Sequence, residues 1–155
     1  MRRSLLALLV AGVLASSCTL LTDPSPDPDK LSAMRALPNT VEASAFAPVI
    51  TDSGIVTRVA FRNTGTARAV VEHGACDLSP VILERSGRVR YADEGIACIA
   101  ILMRLEIPPG ETRELTGGAS WEHLRTLGIR LDGAEAQVGL VLNDRRILSP
   151  RTRVR

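Results

Sequence analysis

The sequence predicts an all-β domain, either a sandwich or a barrel, over residues 39–155. Short runs of β-prone residues recur along this segment, and turn residues interrupt them at intervals of about eight to twelve positions. Nothing in the segment has the apolar period of a long helix. We expect roughly seven to nine strands, most of them antiparallel.

The clearest strand is predicted over 55–62. Thr57, Val59 and Phe61 alternate with arginine and alanine, so one face can be buried while the other carries charge into water. A turn over 63–66 follows, and 67–73 alternates again. We expect two antiparallel strands joined by this turn.

The remaining elements are expected from their turns. Gly87 permits a hairpin between 81–84 and 89–91, and Pro108-Pro109-Gly110 ends a strand over 103–107. We also expect a strand over 111–115 that stops at Gly117-Gly118, a loop over 117–120 and one helical turn over 120–124. A strand over 137–142 and a turn at 143–144 should follow. The last element expected is an edge strand over 146–154 that Pro150 interrupts.

Residues 1–17 have the three parts of a secretory signal peptide. Arg2 and Arg3 precede an apolar run over 5–15, and two serines follow it. A helix of about eleven residues spans about 16 Å, well short of the roughly 30 Å of bilayer hydrocarbon. We therefore expect a cleaved signal peptide and not a permanent membrane span.

The segment Ala15-Ser16-Ser17-Cys18 resembles the lipobox of bacterial lipoproteins, with alanine where leucine is usual. The resemblance implies that Cys18 is alkylated with diacylglycerol and becomes the new N-terminus. Two acyl chains are sufficient for stable anchoring. Thr19 in place of aspartate implies the periplasmic face of an outer membrane and not the inner membrane. The alternative is an ordinary signal peptide with a chance cysteine.

Residues 18–38 are expected to form a lipidated N-terminus and a tether. The alternating prolines of 23–30 favour polyproline II, which would extend these residues by about 25 Å. Because Arg2 and Arg3 leave with the signal peptide, the 19 basic and 17 acidic side chains of the full chain become equal in number. Overall charge therefore gives no support to a nucleic-acid partner.

Three cysteines are an odd number for an exported protein. With Cys18 consumed by lipid, Cys76 and Cys98 are expected to form a disulfide. The alternative is a zinc site made by these two cysteines with His73 and His123, but Cys98 and His123 lack the close spacing of zinc ligand pairs. We expect no metal and no cofactor.

Three short segments and one tryptophan resemble the BsuPI-type bacterial protease-inhibitor-like domains. They are Val59-Ala60-Phe61-Arg62-Asn63-Thr64-Gly65, Gly87-Arg88-Val89-Arg90-Tyr91-Ala92, Ile107-Pro108-Pro109-Gly110-Glu111-Thr112 and Trp121. The resemblance implies an immunoglobulin-like β-sandwich and, by analogy, protease inhibition through an exposed loop, with 93–97 and 108–112 as candidates. The chain departs from the family at Tyr91-Ala92 and in its pair Cys76 and Cys98.

The sequence favours binding over catalysis. Two isolated histidines and no Gly-x-Ser-x-Gly elbow leave no nucleophile with a base beside it. We therefore expect a membrane-anchored, non-catalytic binding or assembly module with an envelope protein or a protease as partner, and Asp93, Glu94 and Glu111 as candidate contacts.

Trp121 is expected in the core, with a ligand platform as the alternative. The arginines of 145–155 are expected to protect an edge strand, with an acidic partner as the alternative.

Overall fold

The computed structural model describes residues 31–74, 76–92 and 102–154. Within these ranges the chain forms thirteen strands and one short helix. They are β1 (Ser32–Leu37), β2 (Val41–Ala45), β3 (Val49–Ile50), β4 (Gly54–Asn63), β5 (Ala69–Gly74), β6 (Val81–Leu83), β7 (Val89–Tyr91), β8 (Leu102–Ile107), β9 (Thr112–Ser120), α1 (Trp121–Thr126), β10 (Glu135–Gln137), β11 (Gly139–Leu142), β12 (Arg145–Leu148) and β13 (Thr152–Arg153).

The strands form three sheets that pack as a sandwich, which confirms the all-β prediction. One sheet has the order β12-β11-β1-β5-β8, and a second has the order β13-β10-β6-β7. The third is built on β4, which pairs with β2 and β3 along one edge and with β9 along the other. The pairs are antiparallel except β1 with β11, and the described strands close no barrel.

The long strand β4 packs against both of the other sheets with its buried face. Val59 and Phe61 belong to a core cluster with residues of the five-stranded sheet. Ile55, nearer the start of the strand, belongs to a second cluster with β6, β10 and α1. The predicted alternation holds throughout, since Thr57, Val59 and Phe61 are buried.

A third cluster lies where the first strand enters the sandwich. Leu31, Val81 and Leu83 pack together there, and Leu31 also covers Gly139, where a Cβ would lie 2.7 Å from the leucine methyl. Strand β6 is therefore buried on both faces, since Ile82 points into the second cluster.

The last residues of the range 18–38, which was predicted as a tether, form strand β1 of the sandwich. β1 buries Met34 and Ala36, and its alternation was too short to recognise before its partners β5 and β11 were known.

Several predicted elements have the expected form. β6 and β7 make the hairpin around Gly87, whose φ is 88°. β8 ends at the turn that contains Gly110, with φ 76°. Asn143 and Asp144 make a tight β11–β12 turn with positive φ values of 46° and 64°.

The described residues contain thirteen strands and not the seven to nine expected, because several short strands lie in segments read as turns or single strands. Three further expectations about strands were wrong. β4 and β5 do not pair with each other, because the turn after Asn63 carries the chain from one sheet to the other. β9 does not stop at Gly117-Gly118 but pairs with β4 as far as Ser120, so 117–120 is not a loop. The single strand expected over 137–142 is divided, because Val138 links β10 and β11 in different sheets.

Candidate functional site: a cluster of loops at one end of the sandwich

Four connections meet at one end of the sandwich, because β1, β4, β8 and β11 all end there. We call this set the loop cluster. It consists of residues 38–40, 64–68, 108–111 and 143–144. Hydrogen bonds between the connections hold them against one another.

Asn63 joins three of the four connections. Its buried amide donates to the carbonyl oxygens of Ala67 (2.7 Å) and Ile107 (3.0 Å). Its side-chain oxygen accepts from the Thr40 hydroxyl (3.1 Å) and the Gly65 N–H (2.9 Å). A buried amide with all of these partners fixes the turn geometry and leaves none of these groups unsatisfied.

Asn143 ties the fourth connection to the first. Its side-chain oxygen accepts from the Ala36 N–H (2.9 Å), and its amide donates to the Ala36 carbonyl (3.1 Å) and to Asn39 Oδ1 (2.7 Å). These contacts span more than a hundred residues of chain, so spacing in the sequence did not reveal them. The positive φ typical of an Asn-Asp turn was the only local signal.

Glu111, the described member of the predicted binding residues, lies in this cluster. Its side chain is exposed and pairs with Arg113 at 2.7 Å, where both groups are about half exposed (49% and 50%). The backbone of Gly110 and Glu111 is held by the backbone of Asn63, whose N–H donates to the Glu111 carbonyl (3.0 Å) and whose carbonyl accepts from the Gly110 N–H (2.9 Å). The carboxylate is therefore presented to solvent on a well-supported turn. Asp93 and Glu94, the other two predicted contacts, lie outside the described residues.

A small cleft opens beside the cluster, between the β2 and β12 sides of the sandwich. It has a volume of about 120 Å³. Val41, Ala43, Leu142 and Ile147 form its apolar wall, and Asn39, Asn143 and Arg145 form its polar mouth. A cleft of this size admits one small side chain and not a drug-sized molecule.

The predicted zinc and disulfide residues are only partly described. His73 is the second-last residue of β5 and is half-buried, with Nδ1 3.1 Å from the Gly74 carbonyl oxygen. His123 is exposed on α1. Cys76 lies in the turn after β5. Cys98 lies outside the described residues, as does Cys18, so the Cys76–Cys98 disulfide and the lipid site stay predictions. Within 31–74, 76–92 and 102–154, no three His, Cys, Asp or Glu side chains are grouped to hold a metal.

Ser120 and Trp121 have structural roles at the other end of β9. The Ser120 hydroxyl caps α1 by accepting the N–H of His123 at 3.1 Å. Trp121 is half-buried against the second core cluster, and its ring N–H donates to the Thr51 carbonyl at 3.0 Å. Within the part of the chain that the structure describes, Trp121 therefore packs at the edge of the second core cluster.

The arginines near the C-terminus lie on sheet edges, as predicted. β12 is the edge of the five-stranded sheet and carries exposed Arg145 and Arg146. β13 is the edge of another sheet, and the preceding Arg151 pairs with Glu135 at 3.4 Å. Arg155 lies outside the described residues. Charge on these edges disfavours pairing with another chain.

No protein-family model and no curated protein matches this chain. Among the described residues, no helix is long and apolar enough to cross a membrane.

Proposed function

We propose that the chain is a lipid-anchored lipoprotein of the bacterial cell envelope whose β-sandwich is a non-catalytic binding or assembly module. The observation that carries the proposal is the loop cluster. Four connections from distant parts of the chain are held together there by the side chains of Asn63 and Asn143 and by the backbone of Asn63. Rigid loops on a β-scaffold are a common form of recognition surface.

The position of the cluster suits an anchored protein. β1 leads from Leu31, where the chain enters the third core cluster, to Leu37 beside the loop cluster. Six residues of strand span about 20 Å. The loops would thus lie the length of a strand away from Leu31, the first described residue, which leaves them open to a partner.

The anchor is tested with Cys18→Ser. We expect the wild-type protein in the membrane fraction and the variant either in the soluble envelope fraction or as unprocessed precursor. Full membrane partitioning of a correctly processed Cys18→Ser protein would contradict the lipid anchor.

The binding surface is tested by photo-crosslinking in intact cells. A photoreactive side chain replaces Thr66, which is exposed in the loop cluster, or Arg125, which is exposed on α1 at the opposite end of β9. We expect a discrete heterologous adduct from position 66 and none from position 125. Adducts from both positions in equal yield, or from neither, would contradict recognition by the loop cluster.

Protease inhibition is the second candidate, and the turn over 108–111 favours it. Pro109, Gly110 and Glu111 are exposed. Hydrogen bonds of Gly110 N–H to Asn63 and of Glu111 N–H to Pro108 (2.9 and 3.2 Å) hold the turn in one shape. A turn held in this way loses little conformational entropy on entering a protease cleft. Titration against a panel of serine proteases, with Glu111→Ala as the comparison, would show stoichiometric inhibition that the variant weakens.

A further inference from the structure

Strand β9 has one paired edge and one open edge. It pairs with β4 along all nine of its residues, and no other described strand joins it. Nine residues of strand offer about 30 Å of backbone. An open edge of this length is a template for pairing with another strand.

The other sheet edges are shorter or protected. β12 has four residues and carries Arg145 and Arg146, and β13 has only two residues and follows Pro150. β9 contains no proline, and its register with β4 runs without a shift. The charged residues of β9, Arg113 and Glu114, lie near its start, and 115–120 carry no charge. Because natural sheets usually protect such an edge, this uncharged stretch, which no described strand covers, points to a partner strand.

The pairing with β4 shows which backbone groups of β9 face outward. At the two ends of the ladder, Trp121 N–H donates to Ser53 and Asn63 N–H donates to Glu111, both at 3.0 Å. Hydrogen-bonded positions alternate along an antiparallel pair. The odd-numbered residues of β9 therefore bond to β4, and the N–H and C=O groups of Thr112, Glu114, Thr116, Gly118 and Ser120 face the open edge.

We propose that the open edge of β9 pairs antiparallel with β9 of a second copy of this chain, about a two-fold axis at Thr116. Thr116 is the middle residue of Thr112–Ser120, so this register overlaps all nine residues. Thr116 then lies opposite Thr116 of the partner subunit, and Thr112 lies opposite Ser120 of the partner subunit. The two β4–β9 sheets become one continuous sheet.

The charges of the strand fit this register. Glu114 lies opposite Gly118 of the partner subunit, and Arg113 lies opposite Ala119 of the partner subunit. A two-fold axis at Glu114 would instead bring two carboxylates face to face, which destabilises a strand pair. An axis at Gly118 would overlap only the residues from 116 onward. The Thr116-centred register therefore combines full overlap with no opposed like charges.

The register is tested by introducing one cysteine at a time into the full-length chain, with the wild type, which keeps Cys18, Cys76 and Cys98, as the reference for cross-linking. Residues directly opposite in a hydrogen-bonded pair have Cα atoms about 5.5 Å apart, within the range that a disulfide spans. Thr116→Cys should therefore form a covalent dimer on mild oxidation. In the matched control Thr112→Cys, the two cysteines would lie about 27 Å apart and should not cross-link, whereas a mixture of Thr112→Cys and Ser120→Cys chains should.

Proline provides a second test, because it removes one N–H group. At Thr116 that group faces the open edge, so Thr116→Pro should keep the β4–β9 pairing and abolish a concentration-dependent dimer in sedimentation of the full chain. Leu115→Pro is the contrast, since it removes a bond to β4 and should unfold the sheet. If Thr116→Pro does not fold, Thr116→Arg replaces it and opposes two arginines at the axis. A wild-type chain that stays monomeric, or equal cross-linking of Thr116→Cys and Thr112→Cys, would overturn the proposal.

Discussion

Single buried polar side chains decide the shape of the loop cluster. Asn63 is fully buried, yet its amide and oxygen contact four partners, which lie in the connections 38–40 and 64–68 and at the end of β8. Buried polar groups are costly unless they are bonded. Here the bonds are complete, so the residue can specify one arrangement of the turns.

Asn63→Ala should destabilise the domain by about 2–3 kcal/mol, because it leaves the buried Ile107 carbonyl without its donor. Thr64→Ala is the control. Its hydroxyl bonds the Thr40 carbonyl at 2.8 Å in an exposed position, so its loss should cost under about 1 kcal/mol. Urea unfolding of both variants checks this, and equal midpoints would contradict the role of Asn63.

Trp121 stabilises the second core cluster with its ring and with one hydrogen bond. Since the ring is only half-buried, Trp121→Ala should cost about 2–3 kcal/mol, less than the usual cost for a fully buried tryptophan. Trp121→Phe keeps most of the packing and loses the bond to Thr51, so it should cost about 1 kcal/mol. Thermal unfolding followed by circular dichroism measures both, and a larger loss for phenylalanine than for alanine would contradict this assignment.

At the level of the strands, glycine lets β9 continue where a break was expected. A Cβ at Gly117 would lie 2.6 Å from the Leu78 Cβ, and one at Gly118, with φ 152°, would collide with the Ile55 carbonyl. The two residues therefore allow close approach by neighbouring backbone. Glycine in a strand can mark such an approach as well as an end.

Gly117→Val should destabilise the domain by about 1–3 kcal/mol through overpacking against Leu78. Thr116→Val, one position earlier and exposed, is the matched control and should change the stability by under about 0.5 kcal/mol. Chemical denaturation compares the two. Equal stability would show that Leu78 moves aside without cost.

For the whole molecule, two covalent features predicted from the sequence remain to be tested: lipid at Cys18 and a disulfide between Cys76 and Cys98. The disulfide would connect the turn after β5 with the segment that precedes β8, neighbouring strands of one sheet. A covalent link of this kind restricts the unfolded chain more than the folded one.

If the disulfide is present, the native exported protein should bind no thiol reagent at Cys76 or Cys98 until it is reduced. Cys76→Ser should then cost about 2–5 kcal/mol. Mass spectrometry after alkylation, with and without a reductant, measures the state of both residues. Two reactive thiols in the unreduced protein would contradict the disulfide and favour the zinc alternative.

Local pattern was enough to predict the all-β class and most turns. The alternation of β4, the hairpin at Gly87 and the turns at Pro108-Pro109-Gly110 and Asn143-Asp144 each depend on a few adjacent residues, and a period of two or a residue that tolerates positive φ is visible in the sequence. Glu111 was placed in an exposed turn for the same reason.

Partners distant in the chain could be assigned only from the folded structure. β1 looked like tether until its parallel pairing with β11 was seen, and Asn143 contacts Ala36 across 107 positions. An alternating pattern in one segment predicts that the strand has a buried face but not which strand lies beside it. The sequence pattern therefore did not predict that the chain passes from one sheet to another after Asn63. Pairing depends on which apolar faces can be buried together, and that is a property of the whole sandwich.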